Sequence, residues 1–248
     1  MNVVQILLNV VQISASLARV DTIDRRQRLR ARLLDAAERR IEAAGQGALR
    51  ARDLAQDAGC SLGAIYNVFP DLDALILVVN GRTLARLDAE LRAASAAEPP
   101  DAATPSERAI GRMAALATAY LEFAIAHRRL WRALFDHRMA GGRPVPEGYL
   151  AEQMRLFVHI VEPLQVLQPG LDSPARMMLA RTLFSAAHGA VAVGLEEKLT
   201  AVPLPELRRQ VALLAQTLGR GLGHPVPAAT APTGRRAAPP KAARRGID

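Results

Sequence analysis

The chain is poor in cysteine, lysine and aromatic residues. Its single cysteine, Cys60, excludes an intramolecular disulfide and any cluster of thiolate metal ligands, and fits a reducing cytoplasm. Phe, Trp and Tyr make up only 4% of the 248 residues. No stretch alternates apolar and polar residues for long, so an all-α chain is expected. The residue sets that helical enzymes use are missing as well. A di-iron bundle needs Glu-x-x-His on two helices, whereas His159-x-x-Glu162 has the reverse order and stands alone. His127, His137 and His188 lack the spacing of a zinc site. Gly219-x-Gly221-x-Gly223 reads as a helix terminus rather than a phosphate loop, and no nucleophile sits at a recognisable elbow. No catalytic residue, metal or cofactor is therefore expected, and the chain reads as something other than an enzyme.

Charge is plentiful, and its positive part is almost entirely arginine: the formal balance is +8, and Lys198 and Lys241 are the only lysines. Such a balance points to an anionic partner. Part of the excess lies in a Pro-, Ala- and Arg-rich tail from residue 223 to 248, which cannot bury enough apolar surface to order itself. At the other end, Val3, Val4, Leu7, Leu8 and Val11 form an apolar face opposite Gln5, Asn9, Gln12 and Ser16. This segment lacks the leading cation of a signal peptide and is too short to span a bilayer. It reads either as an amphipathic arm that packs on the body or a partner, or as residues before the true start. No membrane partner is expected.

The most informative stretch runs from Ala51 to Phe69. Leu54 and Ala58 stack one turn apart, Ile65 and Val68 face back towards them, and Gly59 lies between. Only glycine enters the left-handed conformation of a sharp inter-helix turn without steric cost. Ala55 is small where a second helix must cross closely, and Ser61 can cap that helix. This is the pattern of a DNA-binding helix-turn-helix, whose second helix lies in the major groove.

Gly45 through Phe69, followed by Pro70-Asp71-Leu72-Asp73-Ala74-Leu75, resembles the DNA-binding domain of the TetR/AcrR family of transcriptional regulators, whose characteristic run is matched from Arg52 to Phe69. Two positions depart from the family pattern. Val68 stands where a phosphate-contacting His or Tyr is usual, and Leu72 where Lys is usual. The resemblance implies an N-terminal three-helix reader followed by a larger helical domain that binds a small molecule and dimerises through its last two helices. It places DNA contacts on Ser61, Leu62, Gly63, Ala64, Tyr66 and Asn67, with Asn67 suited to an adenine edge. Arg25, Arg26, Arg28, Arg30 and Arg32 crowd the preceding helix, Asp24–Ala44. Arg26 and Arg30 project onto its apolar side, which leaves Arg25, Arg28 and Arg32, with Arg50 and Arg52, to meet phosphates in place of the two lost contacts.

Further helices are expected over Asp71–Ser95, Ser106–Ala126, Arg128–His137, Glu147–Leu167 (kinked at Pro163), Ser173–Leu199 and from Leu204 to about Leu218, stopped by Gly219. The expected division is an N-terminal extension 1–23, a reader 24–84, a ligand-binding and dimerisation domain 85–222 and a basic tail 223–248. Phe184-Ser-Ala-Ala-His188-Gly189 is similar to a W-x-x-x-H-G mark of one subgroup of the family, with Phe in place of Trp. Candidate ligand contacts are Met113, Tyr120, Phe123, Trp131, Phe135, Met154, Phe157, Phe184 and His188. The implied function is a cytoplasmic, homodimeric, ligand-responsive repressor of a palindromic double-stranded operator with an unidentified small-molecule effector. The two missing phosphate contacts keep open an alternative, a ligand-sensing or interaction protein that retains the fold and binds DNA weakly.

Overall fold

A computed structural model describes residues 3–97, 104–196 and 202–222, with side chains from Ile23 onward. The tail 223–248, the side chains of the N-terminal amphipathic segment and the expected helix end at Leu199 lie outside the described residues. Among those described, all regular structure is helical: α1 Val3–Ala44, α2 Ala51–Asp57, α3 Leu62–Val68, α4 Leu72–Ala96, α5 Pro105–Ala126, α6 Arg128–Asp136, α7 Glu147–Arg155, α8 Val158–Leu167, α9 Ser173–Gly194 and α10 Leu204–Leu222.

The caps fall where polar side chains allow them. Ser61 Oγ accepts the Ala64 amide at 3.3 Å, and Asp71 Oδ1 accepts that of Ala74 at 2.8 Å. Thr104 and Glu107 form a reciprocal capping box that starts α5. The helix expected from Asp24 instead continues back to Val3, since neither glycine nor proline interrupts Val3–Ala44. The kink expected at Pro163 is replaced by a break at Leu156–Phe157. There the amides of His159 and Ile160 reach back three residues, to Leu156 and Phe157. The break lies just before His159, the residue whose carbonyl the Pro163 ring would crowd in a longer helix. Gly219 does not stop α10, which runs on to Leu222. It is buried, and a Cβ there would meet Ile110 Cγ1 at 3.1 Å, so this glycine serves close packing rather than termination.

Two packed regions result. The first gathers Leu33, Leu34, Ala37 and Ile41 of α1 with Leu54, Ile65, Phe69 and the start of α4. It also takes in Leu130 and Ala133 of α6, which the expected boundary at residue 84 left out. The second surrounds α5, which packs against α4, α8 and α10. By length and composition, α5 and α9 are each apolar enough to cross a membrane. The fold buries half of the apolar window of α5 but only 17% of that of α9.

Asn80 sits between the two regions with 0% exposure, and its Nδ2 donates to the Ala133 carbonyl at 3.1 Å. Asn80→Ala should cost about 1–3 kcal/mol, because it strands a buried carbonyl. Urea unfolding of wild type and variant measures this, and an unchanged midpoint would show the bond to be dispensable.

Candidate nucleic-acid interface and ligand cavity

The turn between α2 and α3 is built as a helix-turn-helix requires. Gly59 takes φ +60°, and the Cys60 amide bonds the Ala55 carbonyl at 2.9 Å. Ile65 is buried and Val68 half-buried against α1, so α3 is pinned by one face. The opposite face is open: Leu62 is 41% and Tyr66 49% exposed, and Ser61, Gly63 and Asn67 are exposed beside them. Ala64 is half-buried. Neither the Tyr66 hydroxyl nor the Asn67 amide has a hydrogen-bond partner among the described residues, and a Cβ at Gly63 would meet nothing within 4 Å. Outward apolar surface on so short a helix has no use within the protomer.

The arginines divide by what holds them. Arg40 bridges α1 to α2, with Nε 2.5 Å from Asp57 Oδ2 and Nη1 3.3 Å from Asp53 Oδ2. The guanidinium hydrogen bond holds the Asp57 carboxyl below its ordinary range. Arg50 donates to the Gly47 and Leu49 carbonyls at 2.8 and 3.0 Å, so it braces the loop before α2. Arg28 pairs with Asp24. Arg26 and Arg30, expected on the apolar side, are both exposed, and Arg30 lies 5.3 Å over the Phe69 ring. Of the five arginines expected at phosphates, Arg25, Arg32 and Arg52 are exposed and have no ion pair among the described residues. Leu72 and Val68, the two departures from the family pattern, both pack against the reader's core.

A second site lies below the reader. A cavity of about 450 Å³, open on one side, is lined by α4 to α10. It is within the size range of small-molecule pockets. Of the nine residues singled out from sequence, Met113, Tyr120, Phe135, Met154, Phe157 and Phe184 line it. The other three lie outside the lining. Phe123 packs on the His127 ring at 4.9 Å, and Trp131 and His188 back Tyr120. Trp131 Nε1 donates to the Tyr120 hydroxyl at 2.9 Å, and an indole N–H can only donate. The tyrosine proton therefore goes to His188 Nδ1, 2.8 Å away. Burial raises the Tyr120 pKa and lowers that of His188, so this relay is neutral near pH 7. Lining residues that the sequence reading missed include Leu84 and Leu87 of α4, Gln153, His159, Arg181 and Ser185. Arg181 and Ser185 lie one turn or less from Phe184, which was the available signal; nothing local marked the α4 leucines.

These features define a class: an all-helical protein with an exposed helix-turn-helix at one end and an apolar cavity in a separate helical body. Residues 113–218 match the family model described as the tetracyclin repressor-like C-terminal domain. Among solved structures, a protein of unknown function from Rhodococcus sp. RHA1 is 28% identical with a TM-score of 0.63, over 79% of this chain and 96% of that one. RolR in complex with resorcinol is 17% identical with a TM-score of 0.54, over 83% and 98%. A TetR transcriptional regulator from Rhodococcus sp. RHA1 is 15% identical with a TM-score of 0.50, over 77% and 96%. No curated relative matches the chain in sequence. Its C-terminal part, residues 113–218, is thus similar to tetracyclin repressor-like C-terminal domains, and its fold is that of the solved TetR-family regulators.

Because His188 has a pKa below its ordinary 6.5 in the fold, the unfolded chain takes up its proton first as pH falls. The stability that His188 contributes is complete above 6.5 and is lost as pH drops from there through the lowered folded-state pKa. His188→Gln should thus flatten the decline of thermal stability on the acid side. A melting series across this window reads it, and identical acid slopes would contradict the assignment.

Proposed function

We propose that the chain is a homodimeric transcriptional repressor that binds a palindromic DNA operator through residues 24–84 and releases it when a small molecule fills the cavity of residues 85–222. The observation that carries this reading is the capped, pinned α3 with Leu62, Gly63, Tyr66 and Asn67 turned outward. Asn67 reads a base edge, and Tyr66, Arg32 and Arg52 contact backbone phosphates.

The second half of the reading is supported by α9. Met178 and Val193 are 61% and 53% exposed, with Thr182, Ala186 and Gly189 along the same stripe between them. An apolar helix this poorly covered fits a two-fold interface in which α9, with α10, packs against a second copy. A two-fold dimer sets its two recognition helices about 34–36 Å apart, one turn of DNA, so the operator mirrors the protein's symmetry. Coupling passes through α4, which starts at the reader and lines the cavity with Leu84 and Leu87. DNA and ligand weaken each other's binding by the same factor.

Fluorescence anisotropy with DNA from upstream of the chain's own coding region tests the reader. Asn67→Ala should weaken operator binding by about 1–3 kcal/mol and leave random DNA nearly unaffected. Equal losses on both would reduce Asn67 to a positioning contact, and no preference of the wild type for any upstream fragment would favour the weak-binding alternative. Val193→Glu should convert the dimer to a folded monomer in sedimentation and lower operator affinity in parallel. A dimer that tolerates the glutamate would place the interface elsewhere.

A further inference from the structure

The cavity lining has a chemical bias that narrows what it can hold. It includes no aspartate or glutamate. Its polar side chains are Tyr120, Gln153, His159, Arg181 and Ser185, and three of them have already committed their hydrogen bonds. The Tyr120 proton goes to His188. Ser185 Oγ donates to the Arg181 carbonyl at 2.9 Å. His159 Nε2 is held by Asp88 Oδ1 at 2.8 Å. Gln153 is neutral. Arg181 differs from all of these: its guanidinium has no ion pair or hydrogen bond among the described residues, and it is exposed, one turn before Ser185 on α9.

An unpaired cation therefore stands at the mouth of a cavity whose walls are Leu, Met and Phe. A carboxylate there would gain a two-pronged, charge-assisted contact while its guanidinium partner stays partly hydrated. A ligand cation would meet the same charge with no acid to offset it, and a carboxylate buried deeper would find only the neutral Gln153 amide to donate, with no cation to balance its charge. Resting on the reading of this cavity as the effector site, we propose that the effector is an amphipathic monocarboxylate, with its apolar body among Met113, Phe135, Phe157 and Phe184 and its carboxylate on Arg181.

Calorimetric titration of the full chain with decanoate, methyl decanoate and decyltrimethylammonium tests this. Decanoate should bind one per protomer, about tenfold or more tighter than its ester, with an advantage that shrinks as salt rises. Arg181→Gln should bring decanoate down to the affinity of the ester and leave ester binding unchanged; an exposed position makes that variant safe for folding. Equal binding of acid and ester by wild type, an acid preference that survives in R181Q, or tightest binding of the ammonium would each overturn the carboxylate class. Ala187→Phe, which fills the cavity, separates the two levels. If the ester binds wild type but not A187F while the acid is no tighter, the cavity reading stands and the head-group assignment falls. If none of the three probes binds wild type, both fall together.

Discussion

α6 is nine residues long, and its two faces are buried in different cores. Leu130 and Ala133 complete the packing beneath the helix-turn-helix, while Trp131 and Leu134 close the helical body behind the cavity. Its arginines fix the ends of two longer helices. Arg129 donates to the Glu42 and Ala43 carbonyls at the C-terminus of α1. Arg128 donates to the Leu195 carbonyl just past α9, and Arg132 pairs with Glu196 at 2.5 Å. Helix C-termini leave carbonyls unsatisfied and carry partial negative charge, so guanidinium groups are well matched to both. A helix this short cannot yield at one face without moving the other, since packed side chains have no slack to absorb the shift.

A polar junction reinforces the same seam. Asp73, near the start of α4, accepts the Ala140 amide and Arg143 Nη2, both at 2.8 Å. His137 lies between the halves, with Nδ1 2.6 Å from Gln46 Nε2 and Nε2 3.5 Å from Asp73 Oδ1. The amide donates to Nδ1, which puts the ring proton on Nε2, towards the carboxylate. Burial holds the His137 pKa below its ordinary value. The loop after α6 is thus tied to the residues that follow the recognition helix. The reader's orientation depends on directional bonds there, on top of the apolar contacts that α6 supplies.

What could be read from the chain alone was what depends on near neighbours. The Ser61 cap, the left-handed Gly59 and the inward Ile65 are each decided within a few residues, and all three appear as expected. The residues of α6 carried no such mark. Leu130 looks like any core leucine of a second domain, and only the return of the chain after α5 brings it beneath α1. Gly219 misled for the same reason: glycine near a helix end signals a stop, unless another helix presses on it, as Ile110 of α5 does here. Among the cavity candidates, bulk picked out six of the lining residues, yet Arg181 escaped notice because an exposed arginine gains meaning only from the apolar hollow beside it.

The two departures from the family's reader can be set against this architecture. Val68 and Leu72 both pack on the core beneath the helix-turn-helix, so each makes an apolar contact within the protein. Such apolar burial, unlike attraction between charges, is not screened by salt. They also flank the junction at Asp71 and Asp73, through which α4 is fixed to Arg143. A reader anchored this firmly to α4 follows its movement closely. The unpaired Arg32 and Arg52 are on α1 and α2, elements that Arg40 holds together. The seam between the helix-turn-helix and the cavity thus combines apolar packing with directional bonds, so the two parts move together rather than deform separately.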